Sequence, residues 1–151
     1  MNKKSHTIIE ILVVLSALII IVWIAFPRFQ AMWDQGYTAQ AKAQMSMVKA
    51  AVVSYYLNHS QSGVHIFPPS TTTLQATYLY PATPQFISNI FYQPFVPGSQ
   101  EYNYLLSLGG KFFVLWSVGV NKAGGFVSIS DAGVVSGKDS DDICVTNGSG
   151  C

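Results

Sequence analysis

The sequence predicts an α+β protein. A long N-terminal α-helix, membrane-spanning in its first half and amphipathic in its second, packs on a small antiparallel β-sheet. Three observations predict it. Residues 11–26 (ILVVLSALIIIVWIAF) carry no charge. From Phe29 onward, apolar residues recur at spacings of three and four, the period of one helix face. Later, two runs rich in aromatic and aliphatic residues flank Gly109-Gly110, a hairpin signal.

Composition sets the limits. The 151 residues suit one domain, or one domain with an appendage. Hydrophobic residues make up 50% and charged residues only 10%, against about 25% charged in a typical soluble domain. Such a chain is not a disordered, solvating one, and its apolar excess belongs in a membrane or a subunit interface. The net charge of +1 offers no basic excess for nucleic acid.

The first element is a membrane span. Residues 8–26 make a helix of about 28 Å at ~1.5 Å per residue, which matches a hydrocarbon core of about 30 Å. Lys3 and Lys4 precede it and stay cytoplasmic, so the rest faces outward. A cleavable secretory signal would have a shorter apolar run and a small-residue exit, whereas residues 26–29 read FPRF. A plain signal anchor leaves Glu10 unexplained. A carboxylate one turn into a span costs on the order of 2–3 kcal/mol and needs a partner. His6 lies four residues upstream on the same face. A cut between Ser5 and His6 would also place a new α-amine within one turn of Glu10, to neutralise it in the same chain or in a neighbour. Such helices can pack side by side, with charge pairing fixing their register.

The run Lys3-Lys4-Ser5-His6-Thr7-Ile8-Ile9-Glu10-Ile11-Leu12-Val13-Val14 resembles the class III signal of type IV pilins and pseudopilins. In that family a short basic leader ends in Gly. Phe or Met follows, then Thr-Leu-Ile-Glu and a long apolar helix bent at a proline. Glu10 and Pro27 fall where the family has its glutamate and proline; Ser5 replaces the Gly and His6 the Phe or Met. The resemblance covers about 25 residues. It implies a leader at 1–5, cleavage between Ser5 and His6 by a prepilin peptidase, and N-methylation of the new amine. It also implies an inner-membrane subunit with a periplasmic head, extracted by an assembly platform with a separate ATPase. Identical subunits would then form a helical filament, periplasmic or on the surface, with Glu10 pairing with a neighbour's amine. The divisions are a filament-core helix at 6–27, its amphipathic half at 28–59 and a head at 60–151.

The second half of the helix is predicted from a stripe of Phe29, Met32, Trp33, Tyr37, Gln40, Ala43, Met47, Ala51, Val52 and Tyr55, with Asp34, Gln35, Lys42, Gln44 and Lys49 largely off it. Core packing is the expected role of the stripe. Pro27 removes a backbone bond to the carbonyl of Trp23 and favours a kink. Gly36 costs about 1 kcal/mol against Ala. Residues 58–69 end the helix. Residues 70–100, broken by Pro81, Pro84, Pro94 and Pro97, read as a linking region. Strands are expected at 102–107 and 111–118, with a third at 125–130, enough to cover the helix's apolar stripe.

Residues 113–125 and 137–143 look like the major pseudopilin of type II secretion, which has a strand ending in Ser-x-Gly, a turn, and an acidic loop ending in Asp-Ile that holds Ca²⁺. That likeness implies Ser117, Asn121, Asp139 and Asp142 as ligands, with the carbonyl of Trp116, and Asp141 able to replace Asp142. Asn121-Lys122 stands where the family has Asp-Gly, and the family's Asp-Pro-Trp-Gly is blurred into residues 92–98. Calcium also makes physical sense: it takes six to eight oxygens, and three adjacent carboxylates repel unless screened. A solvated acidic loop is the alternative.

Two cysteines, Cys144 and Cys151, in an outward-facing chain predict a disulfide. It closes a loop of eight residues and stabilises by about 2.5 kcal/mol in the chain-entropy treatment. Pilins often carry a C-terminal disulfide loop and the major pseudopilin usually does not. The residues thus leave open a secretion pseudopilus, which the acidic loop favours, and a surface pilus for adhesion, motility or DNA uptake. A third alternative is an anchored periplasmic protein that does not polymerise. Zinc lacks further ligands. His59 and His65 are expected at the surface, and H-E-x-x-H, Gly-x-Ser-x-Gly, P-loop and dinucleotide motifs are absent. No enzyme and no organic cofactor are expected.

Overall fold

The computed structural model describes residues 7–125 and 127–151. The expected processing pair, Ser5 and His6, lies outside them. The architecture is α+β. Helix α1 runs unbroken over Ile8–Asn58, and its first turn forms as Glu10 and Ile11 donate their N–H groups to the Thr7 carbonyl at 3.0 and 3.3 Å. Pro27 sits inside the helix without ending it. The chain divides into two units, Met1–Gly36 and Tyr37–Cys151.

In the first unit the apolar side chains of α1 are exposed on every side, from Ile8 to Trp33. By length and composition this helix can cross a membrane, and it is compatible with a single span.

In the second unit α1 turns Ala41, Met45, Val48, Ala51, Val52 and Tyr55 into the core. Ala51, Val52 and Tyr55 of the expected stripe are in this core, whereas over residues 37–48 the buried face is Ala41, Met45 and Val48 in place of the expected Tyr37, Gln40, Ala43 and Met47. Tyr37 and Met47 are 42% and 50% exposed, and Gln40 and Ala43 also face out. Both faces of the helix carry apolar residues, so two phases fit the pattern. The sheet selects the one whose polar ends find partners. Gln44, expected off the stripe, accepts the Tyr102 hydroxyl at 2.7 Å. Lys49 donates through Nζ to the Thr146 carbonyl at 2.8 Å.

The central sheet has three antiparallel strands, β3 (Asn103–Leu106), β4 (Phe113–Ser117) and β7 (Ile143–Thr146), in the order β3-β4-β7. The β3–β4 hairpin turns at the expected glycines: Gly110 has φ 68° and donates to the Ser107 carbonyl at 2.9 Å. A side chain is strained in that conformation. The third strand is not the one expected. Among the described residues of 125–130 only Ser128–Ile129 forms a strand, β5, and it pairs with β6 (Val135–Ser136) in a separate ribbon. Side-chain alternation accounts for both. Phe113 and Leu115 of β4 join Ile143 and the helix residues in one core. Val114 packs with Val127, Ile129 and Val135 in a second. The ribbon thus covers the sheet face opposite α1. With both faces covered, β4 reads as a continuous apolar run.

The remaining elements are small. β1 (Ser60–Gln61) and β2 (Val64–His65) form a hairpin after α1. The segment expected as a mere link is tied down around a π-helical turn at Gln75–Leu79. The fully buried Gln75 accepts from Phe91 N–H and donates to Phe91 C=O, both at 2.8 Å. Glu101 accepts from the N–H groups of Gln75 and Ala76 at 2.7 and 3.2 Å.

Two outcomes follow from this packing. Met45→Ala, at a site with no exposure, destabilises the head by about 2–5 kcal/mol, whereas Met47→Ala changes it by less than about 0.5 kcal/mol; denaturant unfolding in detergent separates them. Burial also pushes the Tyr102 hydroxyl up to about 12 and raises Tyr104, which the neighbouring Tyr55 raises further. The folded state holds these protons more tightly than the unfolded chain, whose tyrosines titrate near ~10. Their contribution is therefore intact below about pH 10 and is lost as pH rises through the folded values, by up to ~1.4 kcal/mol per unit for each group. Thermal melting across that alkaline window reads the loss.

Candidate functional site

Two regions carry the residues singled out from sequence. At the start of α1, Glu10 lies in the first turn and is exposed. A carboxylate there is favoured by the unsatisfied N–H groups and the positive end of the helix dipole. Exposed aliphatic side chains surround it: Ile8, Ile9, Ile11, Val13 and Val14. Pro27 lies nineteen residues after Ile8 on the same helix.

The second region is the meeting of loop 118–125 with loop 137–142, beyond the paired ends of β4 and β7. The expected ligands gather here, but as two separate clamps. Asp141 holds the first loop: its Oδ2 accepts from Asn121 N–H at 2.9 Å and its Oδ1 from Asn121 Nδ2 at 2.8 Å. Asn121 Oδ1 in turn accepts from Ala123 N–H at 2.7 Å. A Cβ on Gly119 would overlap the carbonyl and carboxylate of Asp141, so only glycine permits this approach. Asp142 turns the other way and is buried. Its Oδ2 accepts from Asp139 N–H at 3.0 Å and Gly125 N–H at 3.3 Å. Its Oδ1 is buried and has no hydrogen-bond partner. Ser117, buried at the end of β4, donates to the Val118 carbonyl at 3.1 Å. The repulsion expected among three adjacent acids is relieved in part by aiming Asp141 and Asp142 at different N–H donors. Among the described residues, no three His, Cys, Asp or Glu side chains are grouped to hold a metal.

Cys144 and Cys151 form a disulfide with Cα atoms 5.5 Å apart. The loop that it closes has other anchors. Asn147 Oδ1 accepts from Phe113 N–H at 2.7 Å and Asn147 Nδ2 donates to the Lys111 carbonyl at 3.0 Å. Ser149 bonds through its backbone to Gly133 and Val135 at 2.8 and 3.0 Å. The disulfide also lines an open groove of ≈ 460 Å³ with Lys42, Lys138, Asp141 and Asp142.

Sequence reasoning missed Gln93. It is buried, donates to the Glu101 carbonyl at 2.7 Å and accepts from Val118 N–H at 3.3 Å. It thereby ties the proline-rich segment to the end of β4. Its signal was a lone polar residue among Tyr92, Pro94 and Phe95. His59 corrects the expectation of a surface residue. It is half-buried and stacks on Tyr55 with ring centroids 3.9 Å apart, because the helix ends there and the ring continues the core face. His65 is exposed, as expected.

In comparison with known proteins, the chain matches no family model, no curated protein and no solved structure.

Because hydrogen bonds hold the C-terminal loop independently, reduction of Cys144–Cys151 leaves the head folded and lowers its unfolding free energy by about 2.5 kcal/mol. Denaturant titration with and without reductant measures this.

Proposed function

We propose that this chain is a structural subunit of a type IV pilin-like filament, nearest to a type II secretion pseudopilin. It is held in the inner membrane by residues 8–26 with its head in the periplasm, and identical copies polymerise through their N-terminal helices. One observation carries the reading. The first half of α1 exposes large apolar side chains on all sides, with one carboxylate, Glu10, in its first turn. Nothing within the described residues of the unit covers that surface, so lipid must cover it before assembly and other copies afterwards. A helix that lies in either setting tolerates an acid only where a cation meets it. The amine freed at His6 supplies that cation, and the pairing sets the register of each new subunit. The role is structural, with energy from a separate ATPase.

The Cys144–Cys151 bridge favours a second reading, a surface pilus, whose subunits often close the C-terminal loop in this way. Calcium belongs to the first reading. Asp142 Oδ1, a buried oxygen without a partner, is the atom that favours a cation, and Ser117, Asn121, Asp139 and Asp141 are the residues that the likeness offers to complete its shell. The bound ion would supply charge neutralisation in the loop and no reaction chemistry.

Two experiments test the reading. Glu10→Ala should leave membrane insertion and head stability unchanged while reducing sheared filament by at least about tenfold, the equivalent of ~1.4 kcal/mol; filament yield equal to the unaltered chain would sink it. For the ion, Ca²⁺ should raise the melting temperature of the head over that in chelator, and Asp142→Asn should abolish the difference. Identical melting in both conditions removes calcium from the account.

A further inference from the structure

The apolar surface of α1 does not stop at the end of the membrane span. Trp23 and Trp33 are 84% and 67% exposed, and Phe26 and Phe29 between them are exposed as well. At about 100° per residue these four fall within an arc of about 120° on one face. Arg28 is the sole charged residue between positions 11 and 33. Lengths then decide where this face lies. From Ile8, Trp23 stands about 22 Å along the helix, Arg28 about 30 Å and Trp33 about 38 Å. A hydrocarbon core is about 30 Å thick, and headgroups add roughly 6 Å on each side. With Ile8 at the inner boundary, Trp23 therefore lies below the outer boundary, Arg28 at it and Trp33 among the headgroups.

We propose that Trp23, Phe26, Phe29 and Trp33 form a lipid-binding stripe that seats the unassembled subunit in the outer interface of its membrane, while Arg28, between them in depth but on the opposite side of the helix, meets a phospholipid phosphate. Indole rings favour this depth because one end is apolar and the other donates a hydrogen bond. A guanidinium at the boundary pairs with phosphate through two parallel bonds. The proposal rests on the reading of residues 8–26 as a membrane span, and the experiment separates the two.

The full chain is reconstituted in vesicles of phosphatidylethanolamine and phosphatidylglycerol doped with phosphatidylcholine brominated near either end of its acyl chains. Trp116→Phe combined with Trp23→Phe or with Trp33→Phe leaves one tryptophan on α1. If Trp116→Phe disturbs the head, the difference between the unaltered chain and its Trp33→Phe variant gives the same reading. Trp33 should show blue-shifted emission, quenched more by bromine near the headgroup than by bromine at the chain end. Trp23 should show the deeper bias. Arg28→Gln should remove the dependence of Trp33 quenching on phosphatidylglycerol. If Trp23 is quenched and Trp33 is reached only by aqueous iodide, the stripe is not on lipid and the proposal falls while the span stands. Trp33 shielded from both quenchers means that a second copy covers it, which also overturns the proposal. If neither tryptophan is quenched by bromine, the membrane span itself fails.

Discussion

A helix with apolar side chains on every face cannot stay in water, and residues 8–33 of this chain form one. That constraint shapes the rest of the molecule. Residues 8–33 place isoleucine, leucine, valine, phenylalanine and tryptophan around the whole circumference of α1. Burying each such side chain is worth about 1.5–3 kcal/mol, so the surface demands a bilayer or a close-packed partner. Lipid and a bundle of identical helices both satisfy it, and the proposed life of the subunit is a transfer from one to the other. The two settings are nearly equal in apolar character, so hydrophobicity alone gives little direction to the transfer. In the proposed filament, the single acid at Glu10 supplies what hydrophobicity lacks, namely a preference for one register.

The head answers a different need. It holds the second half of α1. It does so by burying small and medium residues of α1 against β4 and by adding polar ties at Gln44 and Lys49. Tyr102 and Tyr104 repeat the device on the sheet side, each burying a ring while its hydroxyl donates to Gln44 Oε1 and to the Pro68 carbonyl respectively. Behind the sheet, the β5–β6 ribbon and the disulfide-closed loop cover the second face. The acidic loop is held by the N–H groups of Asn121, Gly125 and Asp139, with Asp142 Oδ1 left over.

The long helix, the hairpin at Gly109-Gly110 and the disulfide were legible in the sequence because each depends on local pattern: period, turn chemistry and cysteine count. The phase of α1 over residues 37–48 was not. Tyr37 and Met47 are as apolar as Met45 and Val48, and only the sheet's position chooses between the two faces. The third strand was misplaced for a similar reason. Residues 125–130 and 143–146 both have strand character, and pairing to β4 is settled by long-range packing. At the candidate site the sequence located the residues, yet not their partners. Nothing in Asp139-Ser140-Asp141-Asp142 says that one acid turns to Asn121 and the next to Gly125. Gln93 and Gln75 escaped notice because a buried glutamine has no sequence signature beyond apolar neighbours.

The measurement that bears most directly on the filament reading is the intact mass of the membrane-extracted chain after production with an active prepilin peptidase. The account predicts loss of the five residues Met1 to Ser5, with or without an added methyl group on the amine of His6. A chain that stays uncut beside a peptidase active on a control substrate would contradict it, because Glu10 would then have no terminal amine to meet and the monomeric anchored protein would replace the filament subunit.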